Sequence, residues 1–312
     1  MKTVFQKKKL IVWLGFAFLL FFIATTALMS LTQRHLLIES HKESLQMLAG
    51  EKAAQVDMYM NTQKEKYEIL SSMNAFKQAA LYPNDPAIIA EADKRINELK
   101  QYFPGIGVIS KEGIIIVSEN NPAGTDYSSM PQFPANDKSA MSFMRYYDQF
   151  RKKDYFGVFG PIYDRADTSK VIGMIGYDIE LDKISTLMKE TLDSKTNEVY
   201  LIDETGILLS GSKYIGKGNK NGILIQEVKS DGAKACLADL KKYKKDGTIE
   251  DHEEAVFQYI NYMGDEVFGA HAYVPSIMGC VIAEEGKGEI LGVSMGEYIK
   301  NMFQKKEADY EN

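Results

Sequence analysis

At 312 residues the chain has room for one large domain or two modest ones. Its composition, 45% hydrophobic and 26% charged with a net charge of −6, is that of an ordinary globular protein, without the clustered Lys and Arg that a nucleic-acid surface needs. Two cysteines, Cys236 and Cys280, are too few for a disulfide-rich scaffold, and their spacing is no zinc motif. Outside the cytoplasm the pair can oxidise, but two buried thiols far apart in space are the commoner case and the expectation here.

Residues 1–9 form a basic N-terminus with Lys2, Lys7, Lys8 and Lys9, and residues 10–31 contain no charge at all. Roughly 22 residues at about 1.5 Å each suffice to cross a bilayer as a helix. Trp13 sits near the basic end, where an amphipathic ring suits the interface. The lysines stay in the cytoplasm, which sends everything after Thr32 to the periplasmic or extracellular side. A cleaved signal peptide has an apolar core of only about 7–15 residues, so the run is read as an uncleaved transmembrane anchor.

Residues 32–85 are read as a stalk. From Gln33 to about Leu81 there is no proline and, apart from Gly50, no helix breaker. Leu45, Leu48, Ala49, Lys52, Val56, Tyr59, Met60, Gln63, Tyr67, Leu70 and Met73 recur at three- and four-residue steps, the stripe of one long helix. Its first part is too polar to be buried all round and can pair with a second copy in a homodimer. Tyr82-Pro83-Asn84-Asp85-Pro86 breaks the helix. Asp85 is placed as an N-cap with Pro86 at the first helical position. Ile88, Ile89, Ala92, Ile96, Leu99 and Phe103 form the stripe of a second helix, which Pro104-Gly105 ends.

Strands follow at 106–110 and 114–118 around the turn Lys111-Glu112-Gly113, then a loop over 120–128. Residues 141–150 alternate loosely and turn at the polar Arg151-Lys152-Lys153-Asp154 into a hairpin. Residues 156–164 and 170–181 complete the sheet, and 181–192 read as a connecting helix. The pattern then repeats. Residues 198–212 restate strand, acidic turn with Gly, and strand. Residues 233–243 are helical, 247–254, 255–262 and 266–274 look like strands, and 278–285 restate the closing strand. A duplicated α+β module of about a hundred residues is the simplest account, with one copy at 86–190, the other at 191–290 and a polar tail at 291–312.

Little in the chain suggests catalysis. His35, His41, His252 and His271 have no metal-ligand spacing, the Gly/Lys loops lack P-loop spacing, and no Gly-x-Ser-x-Gly elbow occurs. The acids of Glu253-Glu254 and Glu284-Glu285 point to opposite faces if they lie on strands. No enzyme activity, metal or cofactor is expected.

A transmembrane helix, a stalk helix and two serial strand–turn–strand modules resemble the double Cache sensor domains of bacterial chemoreceptors and sensor kinases. The matching residues are Val108-Ile109-Ser110-Lys111-Glu112-Gly113 with 114–118, Gly124-Thr125-Asp126-Tyr127-Ser128, Gly160-Pro161-Ile162-Tyr163-Asp164, residues 171–179, and Tyr200-Leu201-Ile202-Asp203-Glu204-Thr205-Gly206. The resemblance implies two tandem PAS-like antiparallel-sheet modules in a cell-membrane sensor for signal transduction or chemotaxis. It also implies that the membrane-distal module, 86–190, binds the ligand under the loop that carries Asp126-Tyr127.

Amino-acid-binding members carry an Arg and two aromatics just after that Tyr, then a Tyr-x-Asp on the hairpin and an Asp on the closing strand. Tyr146-Tyr147-Asp148 and Asp178 match the last two. The Arg position reads Met130 and the aromatic pair reads Gln132-Phe133. A bidentate Arg is the usual clamp for a carboxylate, and methionine cannot replace it. Asp178 and Asp148 remain to hold an ammonium group, with Tyr127, Phe133 and Tyr146 as a cage. The expected ligand is therefore an amine, or one whose carboxylate meets another donor such as Arg145. Family receptors normally return through a second membrane helix to a cytoplasmic signalling domain. The sequence has neither, so it reads as a stand-alone sensor acting through a partner or as a shortened receptor. The alternative reading is a membrane-anchored interaction module that binds a partner receptor and no small molecule.

Overall fold

The computed structural model describes residues 2–129, 140–189, 197–212, 222–246 and 256–292. Its first element, α1 (Lys2–Ser72), is one unbroken helix of 71 residues, about 105 Å long at the usual rise. Every side chain from Trp13 to Leu37 is exposed. Within this stretch Thr25 and Thr26 donate to the Phe22 carbonyl and Thr32 donates to that of Leu28, at 2.9–3.0 Å. Polar groups are thus satisfied inside the helix, as a lipid surrounding requires. It is the one helix among the described residues long and apolar enough to cross a membrane.

Burial on α1 starts at Leu45 and follows the predicted stripe through Ala49, Lys52, Val56, Met60, Gln63, Tyr67 and Leu70. The polar members have partners. Lys52 Nζ donates to the Leu187 carbonyl at 2.6 Å, and Tyr67 donates to that of Pro161 at 2.6 Å. The helix was expected to run to about Leu81, but it ends at Ser72. Ser71 and Ser72 turn their hydroxyls onto the Glu68 and Ile69 carbonyls, and Met73 is extended. The chain restarts as α2 (Asn74–Leu81), which buries Phe76, Ala79 and Ala80. In α3 (Pro86–Leu99) Asp85 caps as predicted, accepting from the Ala87 and Ile88 amides at 2.9 and 3.3 Å.

Two antiparallel sheets follow. The first contains β1 (Gly107–Ser110), β2 (Ile115–Ser118), β3 (Ser142–Asp148), β4 (Lys153–Tyr163) and β5 (Val171–Asp178), in the order β2-β1-β5-β4-β3. After α4 (Leu181–Lys189) the second contains β6 (Glu198–Ile202), β7 (Val256–Ile260), β8 (Glu266–Val274) and β9 (Gly279–Gly286), in the order β6-β9-β8-β7, with α5 (Asp231–Asp246) between β6 and β7 in the chain. Omit β2 and the two orders are the same. Even the turns repeat. Ser110 Oγ accepts from the amides two and four residues on, and so does Asp203 Oδ1, each beside a glycine of positive φ, Gly113 or Gly206.

Two expectations need correction here. Residues 207–212 form no strand: Ile207 and Leu208 make only isolated bridges, to Glu227 and Ile202. Leu208 also exchanges backbone bonds with Gln226 and Leu224 on its far side, so 208–209 keep the place beside β6 that β2 has beside β1 without regular strand pairing. Cys236 on α5 and Cys280 on β9 are not separate thiols but a disulfide. The sequence hid this because the pairing depends on α5 lying across β9. The strand expected at 247–254 and most of the tail lie outside the described residues.

One face of each sheet shares a core with α1, through Val108, Ile162 and Ile175 in the first and Val199, Leu201, Val281 and Ala283 in the second. Gly160 is needed there, since a Cβ would lie 2.5 Å from the Tyr67 ring. The opposite face of the first sheet carries Ile109, Ile115, Tyr127, Tyr146, Phe159 and Met174. That face is where the candidate site lies.

Candidate ligand site on the first sheet

Strand alternation sorts the hairpin residues between faces. Tyr146 and Asp148 of β3 point to the outer face and are 6% and 0% exposed. Arg145, between Met144 and Tyr146, points the other way. It donates to the Leu224 carbonyl at 2.7 Å and lies 3.6 Å from Asp154. Its role is to tie the hairpin to the second half of the chain, and the structure does not bring it to the other expected residues. Phe133, Met130 and Gln132 lie outside the described residues.

Asp178, at the end of β5, is 6% exposed. Its Oδ1 accepts from Tyr146 Oη at 2.5 Å and its Oδ2 from Arg151 Nη1 at 2.8 Å. Arg151 also donates through Nε to Asp148 Oδ2 at 3.0 Å and through Nη2 to Tyr146 Oη at 3.1 Å. Its guanidinium carbon lies 3.5 Å from the centre of the Tyr155 ring, which stacks on Tyr146 at 5.8 Å. The other oxygen of Asp148 accepts from the backbone amides of Phe150 and Arg151, both at 2.8 Å, and so fixes the hairpin turn. Sequence reasoning missed Arg151. The available signal was the spacing Asp148-x-x-Arg151 across a turn, where an Asx-type bond curls the chain back toward its own acid.

The electrostatics follow from burial. Burial raises the Asp178 pKa, with the bonds from Arg151 and Tyr146 opposing. Burial also works against the Asp148 carboxylate, but the Arg151 amide and guanidinium outweigh it and hold that pKa below the usual range. Burial, and then the Asp148 charge, push the Tyr127 phenol up to about 12.

Beside this group is a cavity of about 20 Å³, lined by Gly105, Gly107, Asn121, Tyr127, Tyr146 and Phe159 among others. Asn121 Oδ1 and Tyr127 Oη are buried and have no hydrogen-bond partner among the described residues. Such orphans carry a cost unless something polar meets them. Gly105 is required in the wall. Its φ is +69°, and an added Cβ would run into the Asp178 carboxylate. Gly105→Ala is expected to cost about 1–2 kcal/mol from the left-handed backbone alone and to displace Asp178. A lower melting temperature together with loss of any ligand response checks this, and an unchanged response would show that Asp178 needs no such room.

The second sheet carries a counterpart. Registering β1 on β6 and β5 on β9 sets Asp178 over Glu284, Gly105 over Glu198 and Gly107 over Tyr200. Registering the hairpins sets Tyr146-Tyr147-Asp148 over Tyr259-Ile260-Asn261. Tyr259 donates to Glu284 Oε1 at 2.6 Å, as Tyr146 does to Asp178, and Asn261 Oδ1 accepts the turn amides of Met263 and Asp265. The difference lies in the space. Where the first sheet has Gly105 and Gly107, the second has the side chains of Glu198 and Tyr200, and Tyr200 donates to Glu284 at 2.7 Å. Burial raises the Glu284 pKa to about 7.

The family model described as Cache domain (dCache_1) matches residues 33–291. Solved structures of the same fold include the sensor domain of the Vibrio cholerae histidine kinase DctB, at 12% identity and a TM-score of 0.56, covering 82% of this chain and 99% of that one. The ligand-binding domain of the Pseudomonas fluorescens chemoreceptor CtaA, in complex with L-serine, matches at 14% identity and a TM-score of 0.53, over 80% and 98% of the two chains. That of the Campylobacter jejuni chemoreceptor Tlp3, in complex with 4-methylisoleucine, matches at 14% identity and a TM-score of 0.55, over 81% and 94%. Among curated proteins there is no match. With the family model matched from the stalk to just past the closing strand, the chain belongs to the double Cache (dCache_1) family of sensor domains.

Proposed function

We propose that the chain is a membrane-anchored extracytoplasmic sensor that binds a small organic ligand, an amine or an amino acid, on the outer face of its first, membrane-distal sheet. The observation that carries this is the contrast between the two modules. Both hold a buried acid under a tyrosine, but among the described residues Glu198 and Tyr200 fill in the second the space that Gly105 and Gly107 leave in the first, where the cavity is lined by Asn121 and Tyr127, whose Oδ1 and Oη are buried without a partner. Pockets typically combine such apolar walls with a few convergent polar groups. Structural neighbours in complex with amino acids agree with this reading, although at 14% identity their likeness bears on the fold. At about 20 Å³ the cavity holds a water, so ligand entry widens it.

Outward orientation of the sensor is supported by the N-terminal lysines and by the Cys236–Cys280 disulfide, a bond at home in an oxidising compartment. The exposed first part of the stalk is the proposed contact with a second copy or with a signalling partner.

The test is thermal unfolding of the full chain in detergent, screened against amines, amino acids and carboxylates. A ligand at 100 times its Kd adds about 2.7 kcal/mol to the native state, which raises the melting temperature by about 5–10 °C for a domain of this size. Asp178→Asn keeps the shape of the site and is expected to abolish that shift. No shift with any class, together with a stable complex with another membrane protein, would favour the interaction module instead.

A further inference from the structure

The cation position of the pocket is already occupied by the protein itself. Two buried carboxylates and two stacked tyrosines make a cage for a positive charge, and the charge inside it is Arg151. We propose that Arg151 is a resident cation in this site and that the ligand is an organic cation, an alkylammonium or guanidinium, which binds by displacing it. The proposal rests on the reading of this pocket as the ligand site and specifies its chemistry.

Three observations support displacement. Each oxygen of Asp178 already has a partner, Tyr146 on one and Arg151 on the other, and the charged partner is Arg151, so a cation that pairs with this acid competes with the guanidinium for it. A neutral ligand cannot do so without leaving a buried carboxylate unpaired, which discriminates against it strongly. Charge balance points the same way. Asp148 and Asp178 face a single guanidinium across the outer face. Arg145 is turned to the other face, and Lys153 lies 5.8 Å from the far ring, Tyr155. Among the described residues the group is one positive charge short, so it repels an incoming anion and attracts a cation.

Finally, Arg151 is free to leave without unmaking the hairpin. The turn is held by backbone bonds from Phe150 and Arg151 to Asp148 Oδ1, which do not involve the guanidinium. At 20% exposure the side chain lies at the solvent edge of the group. Displacement swings one side chain outward and turns a closed pocket into an open one.

A tethered group competes at a high effective concentration, in the millimolar range for short tethers. Removing it is therefore expected to lower the concentration of cation needed for half-saturation by tenfold or more. The experiment uses the full chain in detergent as wild type, Arg151→Gln and Arg151→Lys. Methylguanidinium and methylammonium chloride are the probes, with sodium acetate and sodium chloride at matched ionic strength as controls. Melting temperature is read by circular dichroism. Half-saturation by methylguanidinium should fall from wild type to Arg151→Lys to Arg151→Gln, because a lysine ammonium cannot bridge Asp148, Asp178 and Tyr146 together. Should Arg151→Gln fail to fold, the comparison of Arg151→Lys with wild type still decides. Equal half-saturation in wild type and variants overturns displacement. So does an acetate response in wild type that Arg151→Gln loses, since Arg151 is then an anion contact. If no form responds to any cation, the reading of the pocket as the ligand site fails as well.

Discussion

Loss of the Cys236–Cys280 bond is expected to destabilise the second half of the chain by about 4 kcal/mol, the loop-closure entropy of the 44 residues it spans. The bond joins α5 to β9, and both sulfur-bearing residues are fully buried. Around it pack Ala233, Ile202, Leu208, Val228 and Ile282, a small cluster separate from the main core. A small core gains most from a covalent staple, because its buried apolar area offsets little chain entropy. Reductant alone will act slowly on a bond with no exposure, so Cys236→Ala with Cys280→Ala is the cleaner variant. Denaturant unfolding with and without the bond measures the difference. Labelling of the denatured, unreduced chain should find no free thiol at either position. Free thiols in folded material, or a midpoint unmoved by the double substitution, would show that the bond contributes nothing.

Glu284→Gln is expected to stabilise the protein by about 3 kcal/mol at pH 8 and to leave it nearly unchanged at pH 4. The wild-type acid has a folded pKa of about 7 against an ordinary value of 4.5. Burial is the main cause, and the neighbouring Glu198 adds to it, while Tyr259 and Tyr200 donate hydrogen bonds that favour the charged form. Because the folded pKa lies above the unfolded one, the native state binds the proton more tightly. The associated stability is fully present below about pH 4.5 and is lost as pH rises through about 7. At roughly 1.4 kcal/mol per unit, the difference amounts to about 3 kcal/mol. Glutamine keeps an oxygen for the two tyrosines and carries no charge. Melting temperature against pH checks this: the wild-type curve should fall between pH 5 and 8 relative to the variant, and parallel curves would refute the assignment to Glu284.

The two acids that answer each other across the duplication thus solve one electrostatic problem differently. Asp178 is neutralised by the guanidinium of Arg151. Glu284, with a glutamate and a tyrosine where the other module has glycines, is relieved by a proton near neutral pH. Among the described residues, this difference is the one on which the proposed ligand site in the first module rests.

Much of the architecture is set by local rules and can be read from the chain alone. The apolar run, the buried stripe of α1, the Asp85 cap, the hairpin turn near Arg151 and the repeat of the module all depend on period, caps and turn residues, which act over a few positions. Alternation also placed Glu284 and Glu285 on opposite faces, where the one meets Tyr259 and the other His41 of α1 at 2.9 Å. The same rule, applied to Arg145 and Tyr146, separates them, so Arg145 belongs to the contact with Leu224. What only the tertiary structure decided involves partners distant in sequence. The disulfide needed α5 laid across β9. The end of α1 at Ser72 needed α2 to find a buried seat. The role of Arg151 needed the hairpin folded back onto β5, so that Asp148, Tyr155 and Asp178 could meet one guanidinium. Charge pairing and packing act through space, and a residue's nearest cation or cavity is a property of the fold rather than of its neighbours along the chain.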